Sequence, residues 1–325
     1  MTLSKENQIK VFAPASVGNV SLGFDMLGAA LSPIDGTLLG DEVELQASDT
    51  YQLTCAGKFK DRLPSDPNEN IVTDCYHFFL DKLKAKGLTG SPVHITLYKH
   101  LPIGSGLGSS ASSIVAAFYG LNEYFQQPFD ELELLSMMGE LEGQISGSIH
   151  YDNVAPSYLG GLVLIAEQAQ QIAVRLPEIA SWYWVICYSG VKVSTSAARK
   201  ILPEQYDLAT TIQFGRQLAL FVDALHKQNA QQAQAVIADV IAEPYRKSLL
   251  PNFDAAKQFA LDTVNAGQGG AFGISGSGPT VFALCNDLTE AETINAWLRD
   301  NYIQNDAGFS HICKLDLEGS RVVKE

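Results

Sequence analysis

The run Pro102-Ile103-Gly104-Ser105-Gly106-Leu107-Gly108-Ser109-Ser110-Ala111-Ser112 constrains this chain more than any other segment. Three glycines at alternate positions follow a strand-like stretch, VHITLY at 93–98. They precede a helical stripe made of Ala111, Ile114, Val115, Phe118, Leu121 and Phe125. Glycine reaches positive φ without strain and lets backbone approach a ligand with no Cβ in the way. The serines that follow open the helix, whose free N–H groups and dipole favour an anion. A strand, a glycine-rich turn and a helix N-terminus in that order read as a phosphate-binding loop. A purely structural turn is the alternative for an isolated pair of glycines. The loop is not a Walker A sequence, which needs a lysine that is absent here. A dinucleotide fingerprint would need glycine at 109, where Ser109 stands, and an acidic residue about twenty positions on.

Composition limits the remaining possibilities. At 325 residues the chain predicts two domains, on a prior of roughly 100–200 residues each, and the boundary is placed at 166/167, giving 1–166 and 167–325. Acidic residues number 36 against 22 basic ones, a net charge of −14. Such a field repels phosphodiester backbones and anionic lipid, so neither nucleic acid nor membrane is an expected partner. One local pocket can still bind a small anion. The opening MTLSKENQIK lacks the apolar core of a secretory signal, and no run approaches the ~18 apolar residues that cross a bilayer. Five dispersed cysteines without a CxxC pair suit a reducing compartment and predict neither disulfides nor a zinc site. A cytoplasmic location is expected.

Periodicity predicts a mixed α and β chain. Strands are expected at 9–13, 42–47, 93–98, 160–166, 183–188 and 311–317, with a polar turn at Glu167–Gln171. Asp130 and Glu133 form a capping-box pair that opens a helix, whose expected buried face is Leu132, Leu135, Met138, Leu141 and Ile145. Further helices are expected at 208–228, at 230–242 and from Asn252 to Gly267. Thr289 and Glu292 are read as opening the last one. AFGISGSGPTVFALC at 271–285 reads as two strand pieces around a second tight loop, with no chemistry assigned.

PxGxGLGSSA at 102–111 resembles the signature of the GHMP kinases. KVFAPASVGNVSLGFDMLGAAL at 10–31, ELEGQISGSIHYDNVAP at 140–156, GVKVSTSAARKILP at 190–203, AEPYRKSLLP at 242–251 and GISGSGPTVFAL at 273–284 are similar to the homoserine kinase branch of that family. The resemblance runs from near residue 10 to the C-terminus. It implies an α+β, two-domain GHMP kinase fold, with a ribosomal-protein-like N-terminal part and a ferredoxin-like C-terminal part. It also implies ATP held over residues 102–112, Mg²⁺ held by Ser110 and Glu142, L-homoserine as phosphate acceptor in threonine biosynthesis, and a homodimer.

The substrate and metal roles that follow are implied by the same resemblance. Arg199 and Arg246 would grip the α-carboxylate, since guanidinium pairs with carboxylate through parallel hydrogen bonds. Asp25 and Asn19 would receive the α-ammonium and orient the hydroxyl, with His150 and Thr195 completing the pocket. Singly, each of these side chains is better explained by a surface, turn or structural role; together, in the order and spacing of the family, they point to the pocket. Glu140 competes with Glu142 for the metal, and the two lie about 200° apart around a helix, so one alone can face the site. Glu142 has the family spacing to His150. Some GHMP kinases carry an aspartate base where this chain has Asn153, which cannot take a proton. Catalysis by positioning, without a strong side-chain base, is therefore expected. Threonine is expected to compete with the acceptor. The alternatives are a GHMP kinase for another small alcohol and a nucleotide-binding regulator that has lost turnover.

Overall fold

Alternation along VHITLY buries every second residue and makes 93–98 a half-covered strand. Around it the chain builds the first of two sheets. The computed structural model describes residues 8–147, 149–168, 170–264 and 271–323. Its first eight strands are β1 (Gln8–Pro14), β2 (Ser16–Gly18), β3 (Leu27–Pro33), β4 (Gly40–Ala47), β5 (Gln52–Ala56), β6 (Val93–Tyr98), β7 (Leu162–Gln168) and β8 (Gln171–Leu176). β9 (Tyr183–Tyr188), β10 (Phe272–Ile274), β11 (Val281–Cys285), β12 (Phe309–Leu315) and β13 (Arg321–Val322) follow. The helices are α1 (Ile71–Ala85), α2 (Ser109–Tyr124), α3 (Glu131–Ser146), α4 (Val154–Leu159) and α5 (Thr195–Lys200). They continue with α6 (Leu208–His226), α7 (Ala230–Ala235), α8 (Glu243–Arg246), α9 (Phe253–Thr263) and α10 (Leu288–Asn301).

One sheet runs β13-β1-β4-β6-β5, with only the β5–β6 pair parallel. Helices α1 and α2 pack together beside it, and Phe79, Phe118, Phe125 and Phe129 fill the space between. The second sheet runs β10-β11-β9-β12-β3-β7-β8, with β2 paired to β3 off that path. A separate core, built on Trp184, Phe221, Phe253, Phe272, Phe282 and Tyr302, lies against it. β3, from the start of the chain, pairs there with β12, from its end, and β1 pairs with β13. The two halves are thus stitched together by main-chain hydrogen bonds.

The capping box at Asp130 forms as read: its carboxylate accepts from the Glu133 N–H, and Glu133 accepts from the Asp130 N–H. Other expectations need correction. Leu132 is exposed, because Leu134, Leu135, Met137, Met138 and Leu141 set the buried face of α3. The side chain of Ile145 and residues 265–267, the end of the helix expected from Asn252, lie outside those described. The helix expected over 230–242 ends at Ala235, and the chain helps itself to a new turn at Glu243, where Asp239 accepts the N–H groups of Ile241, Ala242 and Glu243. The last helix opens two residues before Thr289 and Glu292 would place it: Asp287 caps Glu290, whose carboxylate reaches back to the Asn286 N–H. β7 runs on through Glu167 to Gln168, where a polar turn was expected to begin.

Candidate active site

Gly104, Gly106 and Gly108 all sit at positive φ, +70°, +83° and +64°. Alternation of such residues turns the backbone sharply between β6 and α2. Four consecutive carbonyls of the loop are tied to its surroundings. Gly104 C=O accepts from Val193 N–H (3.1 Å), Ser105 C=O from Thr280 N–H (3.0 Å), Gly106 C=O from Ser275 Oγ (2.6 Å) and Leu107 C=O from Ser16 N–H (3.2 Å). The loop is thereby held by three separate parts of the chain. Gly106 leaves no space for a side chain: a Cβ there would stand 2.5 Å from the Ser275 carbonyl oxygen. α2 starts at Gly108 without a side-chain cap, so its first N–H groups are left for a ligand.

Within the loop, residues divide by burial. Pro102, Ser105, Leu107, Ser109, Ala111 and Ser112 are buried, whereas Ile103, the three glycines and Ser110 are half-buried. Ser112 is a brace, donating to Ala13 C=O and accepting from Asp41 N–H. Beneath the helix start lies an ion pair absent from the sequence reading. Lys99 (2% exposed) and Asp41 (0%) face each other in the core. Lys99 Nζ donates to the Asp41 carboxylate, to Ser109 C=O (2.7 Å) and to Ser113 Oγ (2.9 Å). Asp41 also accepts the N–H groups of His100 and Leu101.

Ser110 Oγ donates to Glu142 at 2.9 Å, joining α2 to α3. Burial pushes the Glu142 carboxyl up to about 7, against the opposing pull of Ser110 and of the Lys99 charge. Glu140 turns away and pairs with Lys82 on the surface. A serine hydroxyl and one buried carboxylate at a helix N-terminus are hard oxygen donors of the sort Mg²⁺ takes while keeping waters. A dication there would also offset the burial that disfavours ionised Glu142. The donor set fits such an ion.

The residues proposed for an amino-acid acceptor converge beside this point. Asp25 meets Arg199 at 2.5 Å and lies 3.8 Å from His150 Nδ1. Burial lowers the His150 pKa, the Asp25 charge opposing it. Arg246, buried, donates to Ala198 C=O (3.1 Å) and Gly276 C=O (3.0 Å). Phe24 presents its ring to both guanidinium groups. Asn19 donates to Gly276 C=O and accepts the Asp25 N–H, so it braces the pocket with both ends. Asn19, Val20, Ser21 and Asp25 all hold positive φ without being glycine, a strained turn of the kind found at ligand clamps. Thr195 Oγ1 lies 3.3 Å from Ser277 Oγ. Asn153 accepts from Ser16 Oγ (3.0 Å) and donates to Asp152 (3.2 Å). The loop at 273–279, left without a role by the sequence, links both centres: Ser275 holds the glycine loop, and Gly276 holds Asn19 and Arg246.

Family models for the GHMP kinases N terminal domain and GHMP kinases C terminal match residues 70–161 and 221–304. The homoserine kinase of Cytophaga hutchinsonii is 35% identical, with 98% of each chain covered and a TM-score of 0.86. The chain belongs to the GHMP kinase family. This kinase therefore has the two-domain GHMP fold, and its family supports ATP-dependent phosphorylation of a small molecule. Phosphomevalonate kinase of Streptococcus pneumoniae (14% identity, 97% and 99% covered, TM-score 0.68) shares the fold. So does mevalonate kinase of L. major, solved with R-mevalonate (15%, 97% and 99%, 0.67).

One residue that the sequence pattern did not single out lies beside this candidate site. Asp152 is buried beside Asn153, and its carboxyl is pushed up to about 7 by burial and then by the charges of Asp25 and Glu142. The signal was a charged residue inside the motif at 140–156, next to the Asn153 that drew attention. No helix among the described residues is long and apolar enough to cross a membrane.

Proposed function

We propose that the kinase phosphorylates the side-chain hydroxyl of L-homoserine with ATP and Mg²⁺. The observation that carries this reading is the Asp25–Arg199 pair in the cleft, with Arg246, Asp152 and His150 around it. Two guanidinium groups beside two carboxylates suit a zwitterion, which brings one charge for each set. Mevalonate has a carboxylate but no amine, so drawing Arg199 away to its carboxylate would leave Asp25 without a cationic partner. The Cytophaga hutchinsonii homoserine kinase, similar along the whole chain, supports the same choice.

In this reading the glycine loop and the first N–H groups of α2 receive the polyphosphate. Ser110 and Glu142 would hold Mg²⁺, which neutralises charge between phosphates when bound. Arg199 opens from Asp25 to take the α-carboxylate, and Asp25 turns to the α-ammonium. Asn19 and Gly276 keep the pocket walls fixed while this exchange happens. Phosphoryl transfer asks chiefly for placement of the hydroxyl and for charge stabilisation. Asn153 cannot accept a proton, and the hydroxyl proton passes to a phosphate oxygen or to solvent. The bond from the acceptor oxygen to phosphorus forms as the bond to ADP breaks.

Binding of fragments tests the zwitterion pocket. L-Homoserine should bind at least tenfold more tightly than 4-hydroxybutyrate, which lacks the ammonium, and than 3-amino-1-propanol, which lacks the carboxylate. Equal affinity for L-homoserine and 4-hydroxybutyrate would remove the amino acid from the account.

A further inference from the structure

The glycine loop contains no basic residue, and the chain around it carries a net charge of −14. A polyphosphate entering this cleft needs a local cation, since the general field opposes it. The cations nearest the site are already committed. Lys99 is buried against Asp41 and the Ser109 carbonyl. Arg199 is paired to Asp25, and Arg246 donates to two backbone carbonyls. His100 and Lys10 share Glu42.

Lys192 is different. It lies in the segment between β9 and α5, and its stem crosses the glycine loop. A Cβ on Gly104 would stand 2.8 Å from Lys192 Cγ and 3.2 Å from Cε. The segment is fastened there, with Val193 N–H donating to Gly104 C=O at 3.1 Å and the Val193 side chain buried. Upstream, Gly190 C=O accepts from Asn305 Nδ2. Downstream, Ser194 caps α5, the helix that carries Thr195 and Arg199 into the acceptor pocket. Lys192 is exposed and makes no ion pair among the described residues. Its stem lies on the glycine loop, in the segment that leads from that loop into α5, and the polyphosphate would lie over the same loop if the proposed function holds.

We propose that Lys192 is the phosphate-binding cation of this kinase, reaching over Gly104 to the polyphosphate of the nucleotide from outside the loop. A lysine suits the task as a compact point charge on a flexible stem, able to follow the phosphate as it moves. The contact also gives Gly104 a reason to be glycine beyond its φ: a side chain there would displace the lysine stem.

Equilibrium binding of ATP, ADP and AMP, each with Mg²⁺, tests this with wild type, Lys192→Met and Lys192→Arg. Lys192→Met should weaken ATP about tenfold and ADP less, while leaving AMP and L-homoserine within twofold. Lys192→Arg should recover most of the ATP loss, and the wild-type advantage should shrink as salt rises. Unchanged ATP affinity in Lys192→Met overturns the proposal, with the proposed function intact. Equal losses for all three nucleotides also overturn it, because they would mark a disturbed cleft rather than a phosphate contact. Failure of wild type to bind any nucleotide would sink both this inference and the function on which it rests.

Discussion

Replacing Glu142 with glutamine should stabilise the metal-free protein at alkaline pH while abolishing its activity. Burial raises the Glu142 carboxyl from 4.5 to about 7 in the folded chain. Below pH 4.5 both folded and unfolded states hold the proton, and the group contributes nothing to pH dependence. Between 4.5 and 7 the unfolded state ionises first, so folded stability falls by about 1.4 kcal/mol per pH unit. Above 7 the loss is complete, at about 3 kcal/mol. Glutamine can still accept from Ser110 and carries no charge to bury. Urea unfolding in EDTA should therefore show Glu142→Gln matching wild type at pH 4.5 and exceeding it by roughly 2–3 kcal/mol at pH 8. With Mg²⁺ and ATP the order should reverse, because a ligand that binds only the folded state stabilises it by RT ln(1 + [L]/Kd), more the tighter it binds. A Glu142→Gln protein less stable than wild type at pH 8 in EDTA would refute the reasoning. The carboxylate would then be held by groups other than an incoming cation.

Lys99→Met should cost about 3–5 kcal/mol by stranding buried Asp41, and adding Asp41→Asn should recover part of that, both read by urea unfolding. Gly106→Ala should drop ATP affinity at least tenfold, since its Cβ would meet the Ser275 carbonyl at 2.5 Å at a φ of +83°; nucleotide titration checks it. Asp152→Asn should raise the KM for L-homoserine about tenfold and keep kcat within tenfold. A thousandfold fall in kcat would instead make Asp152 the proton acceptor.

What could be read from sequence depended on range. The glycine loop, the start of α2 and the Asp130–Glu133 box are settled by neighbours within four residues, and the pattern shows them directly. The edges went astray where a closer cap competed: Asp287 precedes Thr289, and Asp239 interrupts the 230–242 stretch. Leu132 was misplaced because a broad apolar stripe does not say which edge the neighbouring elements, chiefly α2 and α4, will cover. The site residues Asn19, Asp25, Arg199 and Arg246 were found through family likeness, and local pattern alone left each one ambiguous. The Lys99–Asp41 pair and the hold of Gly276 on Asn19 join residues 58 and 257 positions apart. Only the folded chain brings them together.

The most direct test of the central claim is turnover. Purified protein with ATP and Mg²⁺ would be given L-homoserine, D-homoserine, mevalonate or shikimate, with ADP release followed and the product examined by ³¹P NMR. The account predicts a new phosphomonoester signal and rapid ADP release with L-homoserine, at least a hundredfold faster than with the other three. Nucleotide binding without turnover on L-homoserine, or faster turnover on mevalonate, would contradict it.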